Sequence, residues 1–321
     1  MIVVTGAAGF IGSSMIRKLN DENFNDIVAV DSFTDTRKEG NLRDKKIRVR
    51  IDRNQFFDWI DKNHEQVEFI FHLGARTDTT ELDVDLLDQL NTTYSKQVWT
   101  KCVDHQIPLV YASSAATYGA GEQGFSDNEA NINQFKPLNP YGNSKQAFDT
   151  WALEQDHSPF FWAGLKFFNV YGPNEYHKGR MASVIFHCYH QIKDKASMQL
   201  FRSHRPDYSN GGQLRDFIYV KDVTDTLYWL MHHRRDNGIY NLGTGRARSF
   251  LDLAGLVFAN LNAPQRISFI DIPIDIREKY QYYTEADMGK LRSIGYERPF
   301  TELEQGIADY VSNHLLPNKY Y

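Results

Sequence analysis

Cysteine is nearly absent from this chain. The two present, Cys102 and Cys188, lie far apart and form no C-x-x-C pair. That argues against a disulfide framework and against the usual zinc ligand spacings, and it fits a reducing compartment. Long apolar runs are missing too: no stretch of about 18 apolar residues is available to span a membrane. Met1 leads straight into a short β-branched run and a glycine turn, not into a charged and then apolar leader, so the cytoplasm is the expected location. The chain also lacks an excess of positive charge. Its net charge is −5, which offers no surface for nucleic acid. The most basic stretch, Lys45 to Arg53, includes Asp52 and reads as a solvated loop or sheet edge. Internal repeats and low-complexity segments are absent. What remains is ordinary globular material, 41% hydrophobic and 24% charged over 321 residues, enough for one large core or a large lobe with a smaller one.

Five short apolar runs punctuate the first half: Ile2 to Val4, Ile27 to Val30, Phe69 to His72, Pro108 to Ala112 and Ala163 to Phe168. Helical stretches lie between them, among them Ser13 to Leu19, Val84 to His105 and Ser144 to Glu154. Short buried strands alternating with helices predict an α/β fold with a doubly wound parallel sheet. Right-handed crossovers then bring all the strand ends to one edge, where such sheets bind ligands. Each run ends in small or polar residues, as a binding edge requires. After Pro173 the pattern loosens, and Arg202 to Gly212 is turn-rich. The expected division is a large lobe from 1–171 and 215–241 and a smaller mixed α/β substrate lobe from 172–214 and 242–321.

Between the first strand and helix stands Thr5-Gly6-Ala7-Ala8-Gly9-Phe10-Ile11-Gly12, a G-x-x-G-x-x-G turn. Gly6 and Gly9 would let a pyrophosphate approach backbone N–H groups that a Cβ would shield, and Gly12 would let the helix pack on the strand. The helix N-terminus adds positive potential. Asp31, closing the second strand, sits where a ribose-reading carboxylate belongs. Alone it favours NAD; Arg37, Lys38 and Arg53 nearby can offset its charge, so the residues leave NAD and NADP open.

Tyr141-Gly142-Asn143-Ser144-Lys145 is Y-x-x-x-K, and on a helix positions i and i+4 share a face. A tyrosine with an ordinary pKa of about 10 is a poor base at neutral pH. A neighbouring ammonium and a cationic nicotinamide would both favour the phenolate, so its pKa is expected to fall. Lys145 can also hold the nicotinamide ribose. Upstream, Ser113-Ser114 ends the fourth strand, where a hydroxyl can bond the substrate oxygen and share the proton. The conjunction of glycine turn, strand-end serines and Y-x-x-x-K points to catalysis by Tyr141, Ser114 and Lys145.

These residues resemble the extended short-chain dehydrogenase/reductase family, and the resemblance covers essentially the whole chain. It implies a Rossmann-type sheet with a substrate lobe. Several stretches are similar to the family's branch that epimerises ADP-heptoses at C6″: Ala112 to Gly119, Phe168 to Pro173, Arg215 to Val220, Asn241 to Ala247 and, most discriminating, His177-Lys178-Gly179-Arg180-Met181-Ala182-Ser183-Val184. UDP-galactose 4-epimerases do not carry the last in this form. The resemblance implies a tightly bound NADP, with NAD the other possibility, and a homo-oligomer, a pentamer. The product would feed lipopolysaccharide core assembly. It makes Lys178 a second acid/base group opposite Tyr141. A lysine buried beside a cationic ring would have a lowered pKa, which suits that role. By the same implication Phe10, Ile11, Asp31, Ser32, Lys38, Arg53, Leu73, Gly74, Ala75, Arg76, Thr77, Asn91, Lys145, Val170 and Lys178 line the cofactor. Ser114, Asn169, Arg180, His187, Phe201, Arg202, Ser203, His204, Arg215 and Tyr280 line the ADP-sugar. Arg180, Lys279 and a long loop from Pro206 to Gln213 depart from the branch's pattern. A dehydratase would need an Asp-Glu pair where Ala115-Ala116 stand. A UDP-hexose 4-epimerase remains an alternative reading. So does a non-catalytic NAD(P)-sensing protein, although such a protein would usually have lost Tyr141 or Lys145.

Overall fold

The computed structural model describes residues 1–277 and 280–321, so Lys279 lies outside the described residues. Seven strands form one parallel sheet: β1 (Ile2–Thr5), β2 (Ile27–Asp31), β3 (Val49–Asp52), β4 (Phe69–His72), β5 (Leu109–Ser114), β6 (Trp162–Phe167) and β10 (Gly238–Leu242), in the order β10-β6-β5-β4-β1-β2-β3. Helices cover both faces, which is why β1, β2, β4 and β6 are buried at every position and read as unbroken apolar runs instead of alternating ones. The doubly wound sheet expected from the sequence is thus the fold the chain adopts. The basic stretch before Arg53 supplies β3, the outermost strand, and only partly buried.

Strand order reverses between β1 and β4, where Thr5 pairs with His72. The crevice at such a switch point is where sheets of this kind bind ligands. Two helices feed it. The first, α1 (Phe10–Asp21), starts three residues earlier than the sequence suggested, because Gly9 ends the turn and acts as N-cap. The catalytic-motif helix, α5 (Pro140–Leu153), begins at Pro140 rather than Ser144. Asn139 caps it by accepting from Gly142 N at 2.8 Å, and proline at the first position costs no hydrogen bond. Tyr141 therefore lies in the first turn, at the sheet's edge.

A second core gathers around β7 (Asn169–Tyr171), β8 (Met198–Phe201), β9 (Leu214–Tyr219), β11 (Ala247–Ser249) and β12 (Ile267–Ile270). The strands form a β11-β9-β7 sheet and a parallel β12-β8 pair, with helices α6 (Val184–Lys195) and α8 (Phe250–Asn260) packed on them. Here the chain's course differs from the division drawn at 215 and 242. Residues 214–219 pair in the small sheet, because Phe217 and Tyr219 bury in its core; only helix α7 (Val220–His232) and β10 return to the large sheet. Conversely Met288, Leu291, Ile294 and Tyr296 pack into the large core.

Candidate active site

The glycine turn is closed backbone against backbone. Gly6 has φ +65°, and a Cβ there would stand 2.5 Å from Gly74 Cα; one on Gly12 would stand 2.1 Å from the Gly6 carbonyl oxygen. The loop after β4 is thereby docked on the turn, helped by Gly74 N donating to Thr5 Oγ1 at 3.2 Å. No side chain caps the N-terminus of α1, so its first-turn N–H groups face the turn without a competing acceptor. This is a cradle that side chains would fill, and it fits a dinucleotide pyrophosphate.

At the end of β2 the buried Asp31 carboxylate is already engaged. Oδ2 accepts from Ala8 N at 3.0 Å, bracing the glycine turn, and Oδ1 accepts from Ser32 N at 2.8 Å. Lys38 Nζ lies 3.6 Å from Oδ1. Arg53 follows β3 with its N–H on the Asp31 carbonyl at 3.0 Å, its Nε buried and without a partner among the described residues. Arg37 instead forms a bidentate pair with Asp35 at 2.8 Å. Of the three cations the sequence placed near Asp31, Lys38 stands beside its carboxylate, Arg53 meets it through the backbone, and Arg37 is turned to Asp35.

Leu73 to Thr77 follow β4 along this edge. Asn91, expected against the cofactor, spends its amide on protein: Oδ1 accepts from Arg76 N at 2.7 Å, and Nδ2 donates to Arg76 O at 3.0 Å and to Ser144 Oγ at 2.9 Å. It ties the post-β4 loop to α5, and it does so from a single π-helical turn, Asp88–Thr93.

Tyr141, Ser114 and Lys145 converge at the end of β5. Burial raises the pKa of the Tyr141 phenol, and the neighbouring Ser114 hydroxyl pulls against the rise. The fall expected from the sequence is thus not what this arrangement gives, because burial dominates and the Lys145 ammonium is directed elsewhere. Lys145 Nζ donates to the Ala112 carbonyl at 2.8 Å. Burial brings its pKa down to about 8, with Asp149 opposing. Ser114, not Ser113, serves the site: successive strand residues face opposite ways, and Ser113 Oγ is turned to Asp149 Oδ2 at 2.6 Å.

Lys178 sits in the 3₁₀ turn Tyr176–Met181, which Gly179 bends with φ +53°. Its Nζ lies 5.4 Å from the Phe10 ring centroid, at the first residue of α1, so the segment reaches the dinucleotide turn. Burial lowers the Lys178 pKa and the buried Glu175 carboxylate opposes. Glu175 accepts from Ser183 N and Oγ, Gly172 N and Tyr310 OH, fixing the segment from below. Asn41 completes the frame, donating to Ala8 O at 2.9 Å and Asn174 O at 3.0 Å. Neither residue showed in the sequence; an amide or acid in a turn carries no spacing signal. Val170 is half-buried between the two cores, and Asn169 beside it is exposed.

The ADP-sugar residues divide. Arg215 is buried, with its guanidinium 5.4 Å from the Tyr280 ring and 5.7 Å from the Phe250 ring, and it donates to Leu214 O and Gln281 O. Phe201 packs edge-on to Tyr280 at 5.8 Å. These make an aromatic and cationic wall suited to a nucleotide. Arg202 pairs instead with Asp271 at 2.7 Å, Ser203 N donates to Asn210 Oδ1 at 2.9 Å, and His204 Nε2 accepts from Ile272 N at 3.3 Å. Ser203 is thus held within its own loop, and Arg202 and His204 are held by the segment after β12. His187 is half-buried, with Nε2 3.3 Å from the Arg180 carbonyl. Arg180 is two-thirds exposed and lies 3.9 Å from Asp78 across the mouth of the site.

Known proteins match this arrangement. Residues 2–243 match the family described as NAD dependent epimerase/dehydratase. A protein of Fusobacterium nucleatum named ADP-L-glycero-D-manno-heptose-6-epimerase is 44% identical over the full length of both chains. One of the same name from Nitratidesulfovibrio vulgaris is 46% identical over 98% of each. The crystal structure of the Helicobacter pylori enzyme of that name superposes with a TM-score of 0.80 at 26% identity, covering 97% of this chain and 95% of the other.

Proposed function

The chain belongs to the NAD dependent epimerase/dehydratase family, and we infer that it interconverts ADP-D-glycero- and ADP-L-glycero-β-D-manno-heptose. The observation that carries this is likeness at 44–46% identity, over 98% or more of the chain, to proteins named for that reaction. The residues supply the chemistry. C6″ carries no acidic proton, so inversion there is simplest as oxidation and re-reduction. NAD(P), which the glycine turn from Gly6 to Gly12 and the residues about Asp31 would hold, would supply the hydride acceptor and donor. Tyr141, relayed through Ser114, takes the hydroxyl proton on one face. Lys178, on a separate segment that reaches the dinucleotide turn, serves the other face once the ketone has rotated about its exocyclic bond. Lys145, charged below about pH 8, holds the ribose. Arg215 grips the diphosphate beside Tyr280 and Phe201.

We read the cofactor as NADP. Lys38 stands beside a carboxylate whose two oxygens already accept backbone N–H groups, and Arg53, bonded through its N–H to the Asp31 carbonyl, has an Nε without a partner among the described residues; two such cations suit a 2′-phosphate. A homo-oligomer in the cytoplasm, supplying lipopolysaccharide core assembly, belongs to the same proposal.

The test is turnover of ADP-D-glycero-β-D-manno-heptose by purified protein without added cofactor, with the C6″ epimers separated by chromatography. Conversion to a mixture of both supports the reading. Failure on this substrate with turnover of UDP-galactose would make the protein a 4-epimerase instead.

A further inference from the structure

Behind the catalytic residues lies a buried ion pair that the mechanism above does not use. Asp149, fully buried, stands one helical turn beyond Lys145 on α5. Lys166, on β6, has 1% of its surface exposed and reaches Asp149 Oδ2 with its Nζ at 2.7 Å. The same carboxylate collects two donors from β5: Ser113 Oγ at 2.6 Å and Tyr111 OH at 3.1 Å. Lys166 Nζ also donates to Thr117 Oγ1 at 2.7 Å and lies 5.3 Å from the Tyr118 ring, both in the turn that follows Ser114. One ion pair therefore grips the strand before Ser114, the turn after it, and the helix that bears Tyr141 and Lys145.

A buried ion pair is a poor way to gain stability, since desolvation offsets the attraction and apolar residues of equal volume do as well. Its retention here calls for another account, and its contacts supply one. We propose that the Asp149–Lys166 pair is a positioning device for the catalytic trio: it locks β5 and the turn after Ser114 against α5, and it sets an anion one turn behind Lys145. The Asp149 charge favours the protonated form of both Lys145 and Tyr141. The other titratable groups around Lys145 do not compete in the working range. His72 on β4 is buried between Thr5 and Ser95 and pushed down to about 3, and burial raises Tyr111 on β5 well above its usual value, so both stay neutral.

The inference rests on Tyr141 and Lys145 forming the acid/base machinery, and its test separates it from the choice of sugar. The cofactor-loaded chain, labelled with ¹³C at lysine Cε, is titrated by NMR, with the Lys145 signal assigned by its loss in Lys145→Arg. The double variant Asp149→Leu/Lys166→Met removes both charges and leaves no buried ion unpaired. The second variant, Asp149→Asn/Lys166→Gln, keeps the polar shape and carries the same expectation. The Lys145 midpoint and the whole pH profile of turnover move down by about one unit, and kcat falls about tenfold, with Tm and bound dinucleotide unchanged. A variant with unmoved midpoint and unmoved profile overturns the proposal even if kcat drops, since loosened packing alone would do that. A moved midpoint in a protein that leaves ADP-heptose untouched upholds the positioning role and removes the sugar assignment.

Discussion

The dinucleotide edge and the nucleotide-sugar wall are built from different material. At the first, backbone meets backbone: Gly6 against Gly74, Gly12 against the Gly6 carbonyl, Ala8 N on Asp31. At the second, side chains make the surface: Arg215 between Phe250 and Tyr280, with Phe201 on the edge of Tyr280. A backbone site tolerates almost nothing, because there is no side chain to move aside. A side-chain site degrades one contact at a time. A backbone edge of this kind suits many chemistries alike, and on the proposed reading the wall is where a substrate would be chosen.

Gly6→Ala is the harshest way to probe that contrast. Its Cβ would collide with Gly74 while strained at positive φ, so the expected outcome is loss of bound dinucleotide and a lowered Tm, read by absorbance of the released cofactor and by calorimetry. Tyr141→Phe and Lys178→Met come next. Each removes one proton-transfer group and lowers kcat by about a hundredfold or more, with cofactor retained; if both leave turnover intact, the two-base assignment is wrong. The pH profile follows. Lys145 is protonated below about 8 and loses its charge above it, so turnover declines as pH rises through about 8. Arg215→Met, on the wall, raises KM by about tenfold to a hundredfold, the worth of charge-assisted hydrogen bonds to phosphate, with kcat little moved. Arg180→Ser is mildest: an exposed side chain 3.9 Å from Asp78 contributes little, and KM changes by less than about fivefold. A large effect at Arg180 with none at Arg215 would invert the comparison.

The same contrast explains what could be read before the structure. The sheet was legible because strands buried on both faces leave unbroken apolar runs, and the glycine turn because backbone contact leaves glycine spacing. Tyr141 and Lys145 were legible because a helix turns four residues into one face. The start of α5 was set four residues late, at Ser144, since the apolar pattern begins later than the cap at Asn139. β9 was assigned to the wrong lobe, because an alternating strand does not say which sheet it joins. Asp149, Lys166, Glu175 and Asn41 were missed altogether. Their partners lie on other elements, at separations no local pattern encodes. The wall residues came only from resemblance, and the geometry divides them: Arg215, Phe201 and Tyr280 stand together, whereas Ser203 is held by its own loop and Arg202 and His204 by the segment after β12.

The central claim is that C6″ inverts by hydride removal and return within one site, with protons handled by Tyr141 and Lys178. The direct measurement is turnover of ADP-heptose deuterated at C6″ in ordinary water, with isotope content of the product read by mass spectrometry. Deuterium kept on C6″ of the epimerised product is the predicted result. Replacement of the label by solvent hydrogen would mean that C6″ is deprotonated instead, and would contradict the account.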